Sequence, residues 1–255
     1  MTHFIYYVNI YISVNFQINP NLDIDNIKKE FKQSNKLVIE NFLTEDSVEY
    51  LYDFFTKKML PDWWSASFLN FNEHNSNDYG NAQFIRRTSQ NSEILRKHLL
   101  ASQKKFLDGE FSYFFDRTDD DHHDECDCCE CQYRKFISHE STLKWFGEVI
   151  DYELTNVGEF FASRFLPNHF LSPHHDHEKG KIATVLGLSK DWKAEWGGNL
   201  HFMKDDYKTV TKVVQPTFNK LSLFDIPSAN GVPHYVSHVV PGCKHGRISY
   251  TGWYE

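Results

Sequence analysis

EFFASRFL (159–166), PHHD (173–176), KIATVLGL (181–188), WGGN (196–199), LHFM (200–203), KTVTKVV (208–214), KLSLFDI (220–226), HYVSHVV (234–240) and RISYTGWY (247–254) follow one another to the end of the chain. Most are short apolar or alternating runs, rich in β-branched and aromatic residues. PHHD and WGGN are turn-like breaks between them. Many short strands at this spacing make an antiparallel sandwich or barrel. Residues 158–255 are therefore predicted to hold most of a β core.

Upstream of 158 the periodicity changes. Asp23–Gln33 is predicted to be a short helix capped by Asp25, and Lys36–Phe42 a strand. Thr44, Glu45 and Asp46 supply capping chemistry to a second helix. In it Val48, Leu51, Tyr52 and Phe55 recur at helical spacing until Pro61. Further helices are predicted over Asn91–Leu107 and Ser141–Ile150, and a polar loop over Asn70–Asn81. Met1–Ile18 is hydrophobic, but Asn9 and Asn15 interrupt it, and it lacks a basic start and a small-residue cleavage site. It reads as an opening strand. With no repeat and no flexible linker, the chain is predicted to be one domain, 1–255. Residues 1–157 would support the β core of 158–255, a mainly β, α+β class.

Hydrophobic residues make up 40% of the 255, which is enough for a sizeable core. A net charge of −8 argues against nucleic acid as the default partner. No stretch approaches the roughly 20 apolar residues that span a bilayer, so no membrane is predicted either. Four of the five cysteines crowd into 126–131, a poor disulfide framework that points to a reducing cytoplasm.

On a strand, residues two apart face the same side, so His174 and Asp176 can point into one pocket. An imidazole and a carboxylate so placed are two corners of the 2-His-1-carboxylate triad, which leaves coordination positions open. His-x-Asp alone says little, because His122-His123-Asp124 has the same spacing. A third ligand would be a distant His, and His234 stands between apolar runs. Arg247 and Ser249 alternate onto one face of RISYT. A buried Arg needs an anion, and a guanidinium matches a carboxylate with two prongs. Lys181 and Lys244 are alternatives for that work.

FLSPHHDHEKGKIATVLGLSKDW (170–192), WGGNLHF (196–202), PTFNKLSLFDI (216–226), PHYVSHV (233–239) and RISYTGWY, in this order, resemble the prolyl hydroxylase branch of the 2-oxoglutarate- and Fe(II)-dependent dioxygenases. LVIENFLTEDSVEYLY (37–52) resembles the start of that family, while about 60–140 carries little of the likeness. The resemblance implies a double-stranded β-helix (jelly-roll) core, with His174, Asp176 and His234 as iron ligands. It makes Arg247 the partner of 2-oxoglutarate and Ser249 its helper. Phe165 stands where many relatives have a Tyr that touches the co-substrate, and Thr184 is offered as its replacement. His238, nearer to Arg247, is a rival to His234. Asp176 favours hydroxylation over halogenation, since related halogenases carry a small residue there.

The activity so implied couples decarboxylation of 2-oxoglutarate, with O2, to hydroxylation of an unactivated C–H bond; ascorbate is an optional reductant. A prolyl residue of a protein or peptide is the first substrate reading, and a free amino acid or other small metabolite the second. A non-catalytic, cupin-type binding module is the remaining alternative, although such a module would lose the Arg or break the triad.

RTDDDHHDECDCCEC (117–131) has almost no apolar residue and is predicted to stay out of the core. Cys126, Cys128, Cys129 and Cys131 suit zinc chemically. Their Cys-x-Cys-Cys-x-Cys spacing is tight for four ligands, so two of them with His122 or His123 make the easier set. The same segment also reads as a solvated acidic loop or a lid over the substrate.

Overall fold

The computed structural model describes residues 15–69, 82–119, 126–176, 179–226, 231–243 and 246–255. Five α-helices are formed: α1 (Ile24–Ser34), α2 (Glu45–Asp53), α3 (Ser92–Leu107), α4 (Cys129–Ile137) and α5 (Glu140–Ile150). Twelve strands accompany them: β1 (Lys36–Glu40), β2 (Trp64–Leu69), β3 (Ala82–Arg86), β4 (Tyr113–Thr118), β5 (Val157–Phe165), β6 (Phe170–His174), β7 (Ile182–Gly187), β8 (Leu200–Met203), β9 (Val210–Val214), β10 (Lys220–Asp225), β11 (His234–Val236) and β12 (Arg247–Tyr254). No helix among the described residues is long and apolar enough to cross a membrane.

All strand pairs are antiparallel. They run β1-β10-β7-β12-β5-β4-β6-β11-β8-β9, with the β2–β3 hairpin added alongside β4. β4 is the corner. Its Asp116 and Arg117 pair with Arg164 and Ser163 of β5, while Tyr113 and Phe114 pair with Leu171 and Phe170 of β6. One strand thus passes from the first sheet to the second, and the ladder curls into a nearly closed jelly-roll barrel.

Period-two alternation sorts each central strand between two cores. Phe160 and Ala162 of β5, Ile182 and Leu186 of β7, Leu221 and Leu223 of β10, and Ile248, Tyr250 and Tyr254 of β12 face the helices. There they meet Ile27 and Phe31 of α1, Leu51 of α2, Tyr133 of α4 and Phe146 of α5. Phe161, Phe165, Ala183, Phe224 and Trp253 face the barrel interior. Each large side chain buried this way contributes about 1.5–3 kcal/mol. Gly252 is needed in β12 because the Phe160 ring lies where a Cβ would stand.

The helix and strand expectations over 23–42, 91–107 and 141–150 agree with α1, β1, α3 and α5 to within a few residues. The cap of α1 is Asp23, not Asp25: its carboxylate accepts from Asn26 N–H at 3.0 Å. The expectations for Met1–Ile18 and Asn70–Asn81 fall mainly on 1–14 and 70–81, outside the described residues. Within 117–131 the exclusion from the core is corrected. Arg117 and Thr118 end β4, α4 opens at Cys129, and Cys129, Glu130 and Cys131 are buried. Thiols pack as small apolar groups. The Glu130 carboxylate is satisfied by Thr118 Oγ1 at 2.8 Å, Arg134 at 3.3 Å and Tyr250 at 3.4 Å. Arg134 is a local partner one helical turn on, but Thr118 and Tyr250 come from β4 and β12 and cannot be read from local composition.

Asp116, fully buried in β4, accepts from Arg87 Nε at 2.7 Å and from Arg164 Nη2 at 2.8 Å. It ties the β2–β3 hairpin's exit to β5. Asp116→Ala leaves two half-buried guanidiniums without their shared anion. We expect it to cost about 3 kcal/mol, read as a lower urea midpoint at unchanged slope; a change within 0.5 kcal/mol or so, the range of ordinary surface substitutions, would remove Asp116 from this role.

Candidate metal centre and anion pocket

β6 and β11 pair with His234 opposite His174. This register, and the parity that carries Asp176 to the same side as His174, bring the three sequence-predicted ligands together. One ligand atom from each lies within 4.8 Å of the others. His174 Nε2 is 3.5 Å from one Asp176 oxygen, and His234 Nε2 is 3.6 Å from the other. The Nδ1 atoms face backbone carbonyls, Ser172 O at 3.0 Å and Val232 O at 2.8 Å. Each Nδ1–H donates there, so both Nε2 lone pairs turn toward the carboxylate and a metal.

Electrostatics agree with that reading. Burial, then the neighbouring His174, lowers the His234 imidazole to about 4, and it stays neutral as a ligand must. Burial alone would raise the Asp176 carboxyl. Positive charge facing it, on His234 and His174 in their protonated forms and on Lys179, outweighs burial and holds the group well below the usual carboxylate range; with the imidazoles neutral, a bound cation would supply that charge. Trp253 Nε1–H donates to Asp176 Oδ2 at 3.1 Å and fixes the carboxylate's rotation. Trp253 shares its face of β12 with Arg247 and Ser249, so RISYTGWY already carried the signal for it.

The three ligands line a cavity of about 570 Å³ within the barrel. Arg247 lines the same cavity and is 2% exposed. Its Nη1 donates to Ser249 Oγ at 2.9 Å, which in turn lies 2.8 Å from Ser163 Oγ. Its Nε has no hydrogen-bond partner, and it makes no ion pair among the described residues. Burial lowers the guanidinium to about 9. A desolvated cation with an idle donor, facing a cavity, calls for an anionic ligand. The donor set therefore fits both groups: two imidazoles and a carboxylate for iron(II), and Arg247 for a carboxylate co-substrate.

Phe165 lines the cavity, stacked on Phe115 at 5.0 Å and lying 4.8 Å from the Arg247 guanidinium. It flanks the cation through its ring face. Thr184 is corrected. It shares its face of β7 with Ile182 and Leu186, points to the helix side and donates to Gly252 O at 3.3 Å. Tyr113, hydrogen-bonded to Ser67, brings a phenol to the cavity wall instead. It went unrecognised because β4 lies in a segment without clear periodicity. His238 is likewise apart from the centre, stacked on Phe170 at 4.3 Å. Lys181 sits over the Tyr152 ring at 4.8 Å, and Lys244 lies outside the described residues. Of Trp63, Trp64 and Trp196, none lines the cavity, and Trp64 is core.

Comparison with known proteins follows the same division of the chain. Residues 160–255 match the family model of the 2OG-Fe(II) oxygenase superfamily. No curated protein matches by sequence. Among solved structures, a Pseudomonas putida prolyl-4-hydroxylase is similar at 16% identity and TM-score 0.52, over 94% of this chain and 97% of that one. A Trichoplax adhaerens prolyl hydroxylase, solved with a hypoxia inducible factor peptide, is similar at 14% and 0.59, over 91% and 88%. An oxidoreductase of the 2OG-Fe(II) oxygenase family from Burkholderia pseudomallei is similar at 12% and 0.55, over 94% and 93%. At these identities the structural likeness concerns the jelly-roll fold, and the family match rests on the part of the chain that holds the site.

Removing a ligand should separate the two candidate histidines. His174→Ala and His234→Ala are each expected to weaken Fe(II) or Co(II) binding by well over tenfold, and His238→Ala to leave it near wild type, in a metal-competition titration. Trp253→Phe keeps an aromatic, though smaller, ring and loses the hydrogen bond to Asp176. It should weaken the metal about 10-fold or more; unchanged affinity would mean that Trp253 does not orient the carboxylate.

Proposed function

We propose that this protein is a 2-oxoglutarate-dependent Fe(II) dioxygenase that hydroxylates a prolyl residue in a protein or peptide. The observation that carries the co-substrate assignment is Arg247, a buried guanidinium facing the metal cavity with an idle Nε. His174, Asp176 and His234 would hold iron(II). Arg247 with Ser249 would hold the distal carboxylate of 2-oxoglutarate, as a planar two-pronged donor suits. Iron with its co-substrate and O2 supplies the oxidising chemistry. The chain's own residues orient and exclude. Ser172 and Val232 carbonyls fix the imidazole rings, Trp253 fixes Asp176, and Phe115, Phe161 and Phe165 line a largely apolar interior that keeps water from the reacting centre.

Support for the prolyl reading comes from the same walls. Apart from the metal and anion groups, the cavity is dominated by Phe84, Phe111, Tyr113, Leu171 and Trp253. Arg117, at that wall, is neutralised by Glu159 at 2.6 Å. Aromatic walls favour a ring whose ends are amides over a zwitterion that needs a binder for each charge. The Trichoplax relative's peptide complex is consistent with a peptide ligand on this fold. The specific observation favouring a free amino acid is that same Arg117–Glu159 pair, which offers one charge of each sign. The crowding of four of the five cysteines into 126–131, a poor disulfide framework, suits a reducing compartment such as the cytoplasm, and ascorbate is a suitable reductant for iron.

The test is succinate release above the uncoupled background. Prolyl peptides should stimulate it and gain one oxygen by mass; free proline should not. Stimulation by free amino acids alone would replace the peptide reading with the metabolite one. Arg247→Ala should raise the 2-oxoglutarate concentration needed by well over tenfold, the consequence of removing one partner of a desolvated charge pair, about 2–5 kcal/mol. Iron binding should be nearly intact. An unchanged 2-oxoglutarate requirement would sink the Arg247 assignment.

A further inference from the structure

Outside the barrel, a second cluster of metal-type donors has formed. The sulfurs of Cys126, Cys128 and Cys131 lie within 4.8 Å of one another. The placement follows from the local fold. Cys128 is the N-cap of α4, in extended conformation, and its Sγ accepts from Cys131 N–H at 3.5 Å. One helical turn thereby brings the sulfurs of Cys128 and Cys131 to the same side, and Cys126 returns to them across Asp127. The Asp127 carbonyl accepts from Gln132 Nε2 at 2.8 Å and its carboxylate meets Lys135 at 3.4 Å, which pins this bend onto the helix. Cys129 is turned away. It is 2% exposed, with its Sγ 3.7 Å from Tyr50 O on α2. The four-cysteine set is corrected accordingly to three.

We propose that Cys126, Cys128 and Cys131 form a thiolate site for a borderline-soft divalent cation, Zn2+, distinct from the iron centre. Three thiolates around zinc at about 2.3 Å stand roughly 3.8 Å apart in a tetrahedron. The observed sulfurs need to close by at most about 1 Å to meet that spacing. Burial and the neighbouring sulfurs raise the Cys128 and Cys131 thiols, so the cation itself would have to displace their protons, helped by the positive end of α4. A disulfide would use two sulfurs and leave the third idle, whereas a cation uses all three. A fourth position is left for water or another donor.

Such a site has a structural consequence. Glu130, between two of the ligands, is bonded to Thr118 Oγ1, and that oxygen accepts from Ala162 N–H of β5 at 3.0 Å. Zinc at the head of α4 would brace the β4–β5 corner, because metal affinity becomes ordering free energy.

The experiment uses the full chain, purified under reducing conditions without chelator, with zinc as the probe and metal content read by mass spectrometry. His174→Ala, which disables the iron site, should retain about one zinc per chain. Cys126→Ser and Cys131→Ser should lose zinc to a competing chelator at least about tenfold more readily. Cys129→Ser should hold it as wild type does, and circular dichroism checks that each variant is folded. Cobalt(II) loaded into the His174→Ala protein should show thiolate-to-metal charge-transfer bands that Cys126→Ser abolishes. Three results overturn the proposal. One is no zinc in the reduced, zinc-reconstituted His174→Ala protein. Another is zinc that leaves with His174→Ala and stays in Cys126→Ser. The third is an intact mass two hydrogens lower, marking a Cys disulfide where zinc is absent.

Discussion

The antiparallel register that sets His234 opposite His174 is the constraint on which the centre depends. In a sheet a one-residue slip sends every side chain of a strand to the other face. Such a slip would carry one imidazole out of the barrel and leave Asp176 with a single partner. The ladder does more than align the rings. Ser172 O and Val232 O, two residues before each histidine, take up the Nδ1 protons. For His174 that backbone is β6 itself; for His234 it is the segment just before β11, so strand and connecting backbone together set the position and the tautomer of the two imidazoles. The register shifts between His234 and Val236, so the irregularity in the ladder falls just beyond the residue that must be placed most accurately.

The interior of the barrel is arranged around a charge that none of the described residues balances. β12 divides its residues by parity: Ile248, Tyr250 and Tyr254 seal against the helices, and Arg247, Thr251 and Trp253 line the cavity. Isolation from water makes Arg247 costly to keep and, for the same reason, strong toward an anion that enters. Asp116 shows the opposite solution nearby. There a buried carboxylate is saturated by Arg87 and Arg164, and the result is a brace between strands rather than a binding group. Two buried charges on strands that flank β5 thus serve different ends, because one has its partners built in and the other has no counter-ion among the described residues.

What was legible in the chain depended on how local the determining forces are. Alternation along EFFASRFL, KIATVLGL and RISYTGWY reports burial of a strand directly, so the β half and the ligands His174 and Asp176 could be read from it. His234 and Arg247 came from their place in the order of motifs. Thr184 failed by parity: it was nominated by polarity and position, whereas the period of β7 puts it beside Leu186. The segment 117–131 failed by composition. Arg117, Glu130, Cys129 and Cys131 look solvated in a list of residues. They are buried because Glu159, Thr118 and Tyr250 satisfy the charged groups and because thiols pack as small apolar groups.

The sequence by itself determined the class of fold, the strand order of its second half and the kind of chemistry its motifs can support, since hydrophobic period and ligand type are properties of short stretches. The tertiary structure alone decided which histidine completes the triad, that Arg247 has no counter-ion among the described residues, that Tyr113 joins the cavity, and which three of four adjacent sulfurs meet. Those outcomes rest on pairings between residues up to half the chain apart. A strand's own alternation states which side chains share a face; only the packed sheet states what that face looks upon.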